Sequence, residues 1–130
     1  LIAGMLHDIG KLVLADQFPK EWEQVAREIA EKQAPPCDAE RAAFGATHAE
    51  LGAFLLGLWG LDYPITKTLA FHHIPGQSTG QAFGALTCVH VGNVLEHELG
   101  ESHEKSHNLI DTDYLDRLHL GHRLSAWTDL

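Results

Sequence analysis

Histidine is the residue type that gives this chain most of its chemistry. The chain has 130 residues, ten of them histidine. The histidines that stand out lie in the dipeptide His7-Asp8, at His48, in the dipeptide His72-His73 and in the segment HEKSH at 103–107. Neutral imidazole nitrogens and carboxylate oxygens suit borderline first-row metals such as Fe, Mn, Ni and Zn. If the fold gathers the first three of these features, they predict a divalent transition-metal site.

A metal held in this way could also act on phosphate. Two metals in a dense cluster of nitrogen and oxygen ligands clamp a phosphate and turn a bridging water into a nucleophile. Lys11 follows His7 by one helical turn, where its ammonium group could steady the phosphate as a point charge. Asp8 and Lys11 are therefore the candidate catalytic residues.

The alternative for the same histidines is packing. Their ring nitrogens would hydrogen-bond to backbone carbonyls or to Asp8 and hold helix ends together, because neighbouring buried imidazoles are costly unless they are hydrogen-bonded. His90, Asn93 and His97 share one face of a predicted helix, and here a packed or half-exposed face is favoured over a set of ligands.

The segment at 103–107 formally matches HExxH, in which two histidines one turn apart bind zinc and the glutamate acts as a base. That site requires a partly buried helix. The flanks at 100–102 and at Asn108 are polar, so the sequence favours a chance match in a polar loop.

The composition narrows the classes of partner. Nine Lys and Arg against 18 Asp and Glu give a formal net charge of −9. Nucleic-acid binding depends on basic side chains that displace counterions, so we expect no nucleic-acid partner. The same charge gives no attraction to anionic lipid, and no apolar run approaches the roughly 20 residues of a membrane span. Cys37 and Cys88 lie far apart and outside any CxxC pattern, which favours a reducing cytoplasm.

The elements that must position the histidines are predicted to be helices throughout, which makes the chain a single all-α domain over 1–130. Predicted helices cover 11–15, 20–32, 39–44, 48–59, 65–73, 81–99, 113–118 and 124–127. Asp38 and Thr47 are the predicted N-caps of the helices that follow them. Trp22, Trp59 and Trp127 are expected in the core, and Cys88 on a buried stripe.

The chain opens on the apolar, uncapped residues 1–6 (LIAGML), which resemble the interior of a buried helix. We therefore expect a domain truncated at its N-terminus. Its uncovered apolar face would be covered by a partner chain or would drive association into a homo-oligomer.

The order of these motifs resembles that of the HDOD branch of the HD superfamily of metal-dependent phosphohydrolases. Residues 4–12 (GMLHDIGKL) are similar to the HD signature, and Glu40 to Trp59 to the HDOD pattern of Glu, Phe-Gly, His, Gly and Trp. Further likenesses are found at 72–75 (HHIP), 89–93 (VHVGN) and 113–115 (DYL). The resemblance corresponds to the C-terminal part of such a domain and implies an HD-type helical bundle.

What the resemblance implies about function is a bacterial signal-transduction output domain. Such a domain acts through contacts with other signalling domains or proteins. Matching positions in related enzymes bind metal, and here they are His7, Asp8, His48, His72 and His73, with Lys11 near the phosphate. The final ligand position, an aspartate in the family, is Asn93, and no GYP signature follows the histidine pair. The alternative is an active metal-dependent phosphohydrolase that acts on nucleotides or cyclic nucleotides.

Overall fold

The computed structural model describes residues 1–80, 82–99 and 110–128, and this part of the chain is all-α, without a strand. The all-α prediction is therefore confirmed. The helices are α1 (Ile2–Leu6), α2 (Ile9–Gln17), α3 (Pro19–Lys32), α4 (Pro36–Phe44), α5 (His48–Leu58), α6 (Tyr63–Phe71), α7 (Ala85–Leu99), α8 (Thr112–Arg117) and α9 (Leu124–Thr128). Single 3-10 turns lie at Pro75–Gln77 and Gly121–Arg123. Of the helices in these ranges, none is both long and apolar enough to cross a membrane.

Helix α5 lies at the centre of the site-bearing half and packs against α2 and α6, while α1 packs against α6 and α7. The first turn of α5 is fixed by a capping box. The Thr47 hydroxyl accepts a hydrogen bond from the Glu50 N–H at 3.2 Å, and the Glu50 carboxylate accepts one from the Thr47 N–H at 2.9 Å. Such caps contribute about 1 kcal/mol. The predicted N-cap at Thr47 is confirmed, and it makes His48 the first residue of α5.

The predicted cap at Asp38 is wrong. Helix α4 begins at Pro36, three residues before the predicted start at 39, and Asp38 lies within its first turn. Proline lacks the N–H that a cap would satisfy, and its fixed φ angle favours the first helical position. Helix α4 ends at Gly45, whose φ of 76° lies in the left-handed region. Glu40 lies on the buried face of this helix.

Helices α2 and α5 approach each other through glycine. A methyl group on Gly10 would overlap the carbonyl oxygen of His48, and one on Gly52 would lie 3.1 Å from the Ile9 side chain. The two helices can be this close only because these positions have no side chain. The contact brings Asp8, just before α2, next to His48 at the start of α5.

Two apolar clusters flank α7. The first centres on Ala3, Leu56 and Leu69, with Val89 of α7 packed against it. The second centres on Val91, Tyr114 and Leu115, with Trp127 packed against it. Helix α7 therefore joins the half that carries the histidines to the C-terminal helices.

Three further predictions are corrected by the structure. Trp59 is 70% exposed because α5 ends at Leu58 and leaves Trp59 at its C-cap. Cys88 is exposed because it faces a groove between α1 and α7 and not the core. Helix α7 begins at Ala85, after Gly84, and not at 81.

Residues 1–6, the apolar start of the chain, have one buried face and one exposed face. Ala3 is buried in the first core cluster, and Leu6 packs against it. Leu1, Ile2 and Met5 are exposed. The partner that would cover them stays a prediction.

Candidate metal centre

Three junctions between helices bring four predicted residues to one point. Asp8 lies between α1 and α2, His48 begins α5, and His72 and His73 follow the end of α6. One ligand atom from each of the four lies within 4.8 Å of those of the others. Residues separated by up to 65 positions in the sequence (8 to 73) therefore share one site.

The spacing within this cluster fits a metal. Asp8 Oδ1 lies 3.1 Å from His48 Nε2 and 3.7 Å from His72 Nε2, and the Nε2 atoms of His48 and His73 are 3.0 Å apart. Neighbouring ligands that each lie about 2.1 Å from a metal are separated by roughly 3.0 to 3.4 Å. A small adjustment of these side chains would suffice for coordination.

Three buried atoms of the cluster have no hydrogen-bond partner in the described part of the chain: Asp8 Oδ1, His72 Nε2 and His73 Nδ1. His72 donates its Nδ1–H to the Leu69 carbonyl at 2.7 Å, so its Nε2 in the neutral ring carries a lone pair. This lone pair faces the Asp8 carboxylate. Buried lone pairs that face one another are unfavourable unless a proton or a cation lies between them. The donor set therefore fits a divalent cation.

Glu40 holds His48 in the orientation that a ligand needs. This carboxylate, 1% exposed, accepts the His48 backbone N–H at 2.8 Å and its Nδ1–H at 2.7 Å. Metal-binding histidines commonly donate their second ring N–H to a carboxylate in this way, which fixes the ring and raises its basicity. This role of Glu40 was not predicted from the sequence. The available signal was an acidic side chain beside Ala39 on the inner face of α4.

The cluster also sets the protonation states of its members. Burial raises the pKa of Asp8, but contacts with His48, His72 and Lys11 outweigh it and hold that pKa well below its usual range. Burial lowers the pKa of His72, and burial with neighbouring imidazoles lowers that of His73 to about 2. Burial also lowers the pKa of His48, but Asp8 and Glu40 overcome it and raise that pKa overall. Metals bind deprotonated ligands, so the raised pKa makes His48 the member of this cluster at which a metal and a proton compete most.

Lys11 lies beside the cluster on the second oxygen of Asp8. Its Nζ donates to Asp8 Oδ2 at 2.7 Å. The two oxygens of this carboxylate therefore have different surroundings, since Oδ1 faces imidazoles and Oδ2 faces an ammonium group. A catalytic role for Asp8 and Lys11 stays a prediction.

His7 and Asn93 lie on the Lys11 side of Asp8 and outside the four-residue group. His7 donates its Nδ1–H to the Gly4 carbonyl at 2.8 Å, and its Nε2 lies 3.3 Å from Asn93 Oδ1 and 3.6 Å from Asp8 Oδ2. The structure thus places both residues next to the cluster, and their assignment as metal ligands stays a prediction.

A groove between α1 and α7 reaches the site. It has a volume of about 650 Å³, with Gly4, Val89 and Gly92 among its walls, and it extends to His7, Asp8 and Asn93. Small and apolar residues form much of the surface of this groove. Because the groove reaches Asp8, a small molecule in it can contact the Asp8 side chain.

Among the described residues, His90 does not join the cluster. His90 is buried and uses both ring nitrogens in hydrogen bonds, which confirms the packed interpretation for this residue. The HEKSH segment at 103–107 lies outside the described residues.

These features define a class: an all-α domain in which helix ends gather histidines and an aspartate into a buried cluster. The family model described as HDOD domain matches residues 1–75, and the chain belongs to the HDOD domain family. An uncharacterized protein of Treponema pallidum (strain Nichols) is 33% identical over 72 residues. The match covers 55% of this chain and 14% of that protein. No solved structure is significantly similar to this chain.

Proposed function

We propose that this chain is an HDOD signal-transduction output domain of the bacterial cytoplasm with one divalent transition metal at Asp8, His48, His72 and His73. The observation that carries the metal assignment is a pair of buried atoms, Asp8 Oδ1 and His72 Nε2, which face each other at 3.7 Å and have no hydrogen-bond partner within the described residues. Three imidazoles and one carboxylate suit Zn, Fe, Mn or Ni. When bound, the metal would link the ends of three helical segments.

Two observations favour one metal over two. The Lys11 ammonium, 2.7 Å from Asp8 Oδ2, takes the oxygen with which Asp8 would bridge to a second metal. Asn93, at the family's final ligand position, is a neutral amide and a weaker donor than aspartate. The positive charge of Lys11 thus stands where a second cation would bind.

The output role rests on family membership and on exposed apolar surface. Leu1, Ile2 and Met5 form an exposed apolar face at the start of the chain, and the neighbouring Ala3 and Gly4 line the groove that reaches Asp8. Exposed apolar patches on soluble domains mark contact surfaces. The partner in this proposal is another signalling domain or protein, or a second copy of the chain.

The second candidate function is phosphoester hydrolysis, and the groove between α1 and α7 favours it. The groove reaches the metal cluster at Asp8, and Lys11 contacts the same carboxylate. A bound metal would supply Lewis-acid activation of water there. The site residues would bind and orient the phosphate.

Metal analysis of the purified chain tests the main proposal. We expect one transition metal per chain and a loss of affinity of about 100-fold or more in His72→Ala, because a buried ligand is removed. His122→Ala, at an exposed histidine, is the matched control. Phosphate release from a panel of nucleotides and cyclic nucleotides by the metal-loaded protein would favour the enzyme. If the chain binds no metal, or if His72→Ala binds it as well as the wild type, the ligand assignment is wrong.

A further inference from the structure

A chain of hydrogen bonds joins the C-terminal helices to the metal-ligand segment. At its centre is His90 on α7, which is 1% exposed. His90 donates its Nδ1–H to the backbone carbonyl of His72 at 2.8 Å, and its Nε2 accepts the backbone N–H of Asp111 at 3.0 Å. One buried ring thus connects a predicted metal ligand to the residue that precedes α8.

Asp111 makes a second connection to the same segment. Its Oδ2 accepts the Gly76 N–H at 3.1 Å, and its Oδ1 caps α8 by accepting the Tyr114 N–H at 2.8 Å. Arg117, at the end of α8, donates to the Gly76 carbonyl at 3.2 Å. The stretch 72–76, which begins with His72-His73, is therefore held at both ends by residues of the C-terminal half.

The fit at Gly76 leaves no room for a side chain. A methyl group there would lie 2.6 Å from Asp111 Oδ2 and 3.0 Å from the Arg117 guanidinium. Helix α8 is itself anchored to α7, because the hydroxyls of Thr87 and Tyr114 are 2.8 Å apart in the interior. The connection is a packed, rigid contact.

We propose that His90 and Asp111 are positioning residues of the metal site, so that metal binding and the packing of α8 are coupled. Both residues lie beyond residues 1–75, which match the family model. The inference rests on the proposed function, because it needs the metal. His90 holds the backbone carbonyl of His72, and the next residue in the chain is His73, a second proposed ligand. Coupling between two sites is reciprocal, so a metal that orders residues 72–76 also stabilises α8.

Asp111→Ala tests the coupling, with Asp113→Ala as the matched control on the exposed face of the same helix. In a zinc titration of the whole chain, we expect Asp111→Ala to weaken binding by about 5- to 10-fold, in the usual range of couplings between sites, and Asp113→Ala to change it by less than about twofold. Equal affinities for the two variants would overturn the inference. Asp111→Asn, which keeps one acceptor oxygen, serves if the alanine variant does not fold.

Two variants of His90 separate its two hydrogen bonds. The amide of His90→Asn can reach the place of Nδ1 and keep the bond to the His72 carbonyl, whereas that of His90→Gln can reach the place of Nε2 and keep the bond from Asp111. The absorption spectrum of bound Co²⁺ reports ligand geometry. We expect His90→Asn to retain the wild-type spectrum and His90→Gln to change it. A wild-type spectrum in both variants would contradict a positioning role.

The reciprocal measurement is amide hydrogen exchange at Tyr114 and Leu115 with and without zinc. We expect exchange at these amides to slow by about 5- to 10-fold on zinc binding in the wild type, and not in Asp111→Ala. If the wild-type chain takes up no metal, the proposed function fails. If it binds metal and exchange at α8 does not change, only the coupling fails.

Discussion

Two buried histidine environments lie on either side of the backbone of His72, and they differ in their hydrogen bonds. On one side, the rings of His72 and His73 each have a nitrogen without a partner among the residues that the structure describes. On the other side, His90 uses both nitrogens, as a donor to His72 and as an acceptor from Asp111. Burial alone therefore does not distinguish a histidine that can bind metal from a packed one. The two kinds differ in whether every ring nitrogen has a hydrogen-bond partner.

The largest effect that we expect is on stability without metal. His90→Ala should lower the free energy of unfolding by about 3 kcal/mol, because it removes two buried hydrogen bonds and leaves a cavity. His73→Ala should cost only about 1 kcal/mol, because it also removes an unpaired buried nitrogen. Urea denaturation in the presence of a chelator measures both. A larger loss for His73→Ala would reverse the comparison.

The next effect concerns the carboxylate behind His48. Glu40→Gln should weaken zinc binding by about 10- to 100-fold, because it removes the charge that orients the ring and raises its basicity. Glu23→Gln, on the exposed face of α3, is the matched control and should bind as the wild type does. Isothermal titration gives both affinities. Unchanged binding in Glu40→Gln would show that the orientation of His48 does not depend on this charge.

A pH effect follows from the same residue. Burial opposes the charge on His48, but Asp8 and Glu40 raise its pKa above the ordinary value of 6.5. Zinc must displace this proton, so affinity should rise by up to about tenfold per pH unit below the raised pKa and level off above it. The free energy of unfolding that depends on His48 changes with pH in the direction opposite to the zinc affinity. Charged His48 stabilises the metal-free fold below 6.5, and this contribution is lost as pH rises through the folded-state pKa. Zinc titrations measure the change in affinity across this pH range. Thermal melts of the chelator-treated protein measure the change in stability.

The smallest effect is expected at Asn93. Asn93→Asp should tighten metal binding by about three- to tenfold, because it adds a negative charge beside His7 and Asp8. The ratio of metal to protein, read by elemental analysis, shows whether the change also admits a second ion. No change in affinity would mean that this side of Asp8 takes no part in the site.

The proximity of Asp8, His48, His72 and His73 was predicted from the sequence, whereas the residues that support them were not. His48 was placed correctly because Thr47 and Glu50 form a local capping box, which is visible in four consecutive residues. Proline, in contrast, moved the start of α4 away from the predicted cap at Asp38. Glu40 and Asp111 were not assigned their roles. Their partners lie in other elements, and no local pattern reports a tertiary hydrogen bond.

The close contact between Gly10 and the His48 carbonyl has a consequence for how this domain could signal. Backbone touches backbone there, so the gap between Asp8 and His48 cannot close further when an ion arrives. Asp8 and His48, two of the proposed ligands, therefore sit on backbone segments of fixed separation. We expect any movement that reports occupancy to come from the other side of the site, where the segment with His72 and His73 leads away from α2 toward the end of the chain.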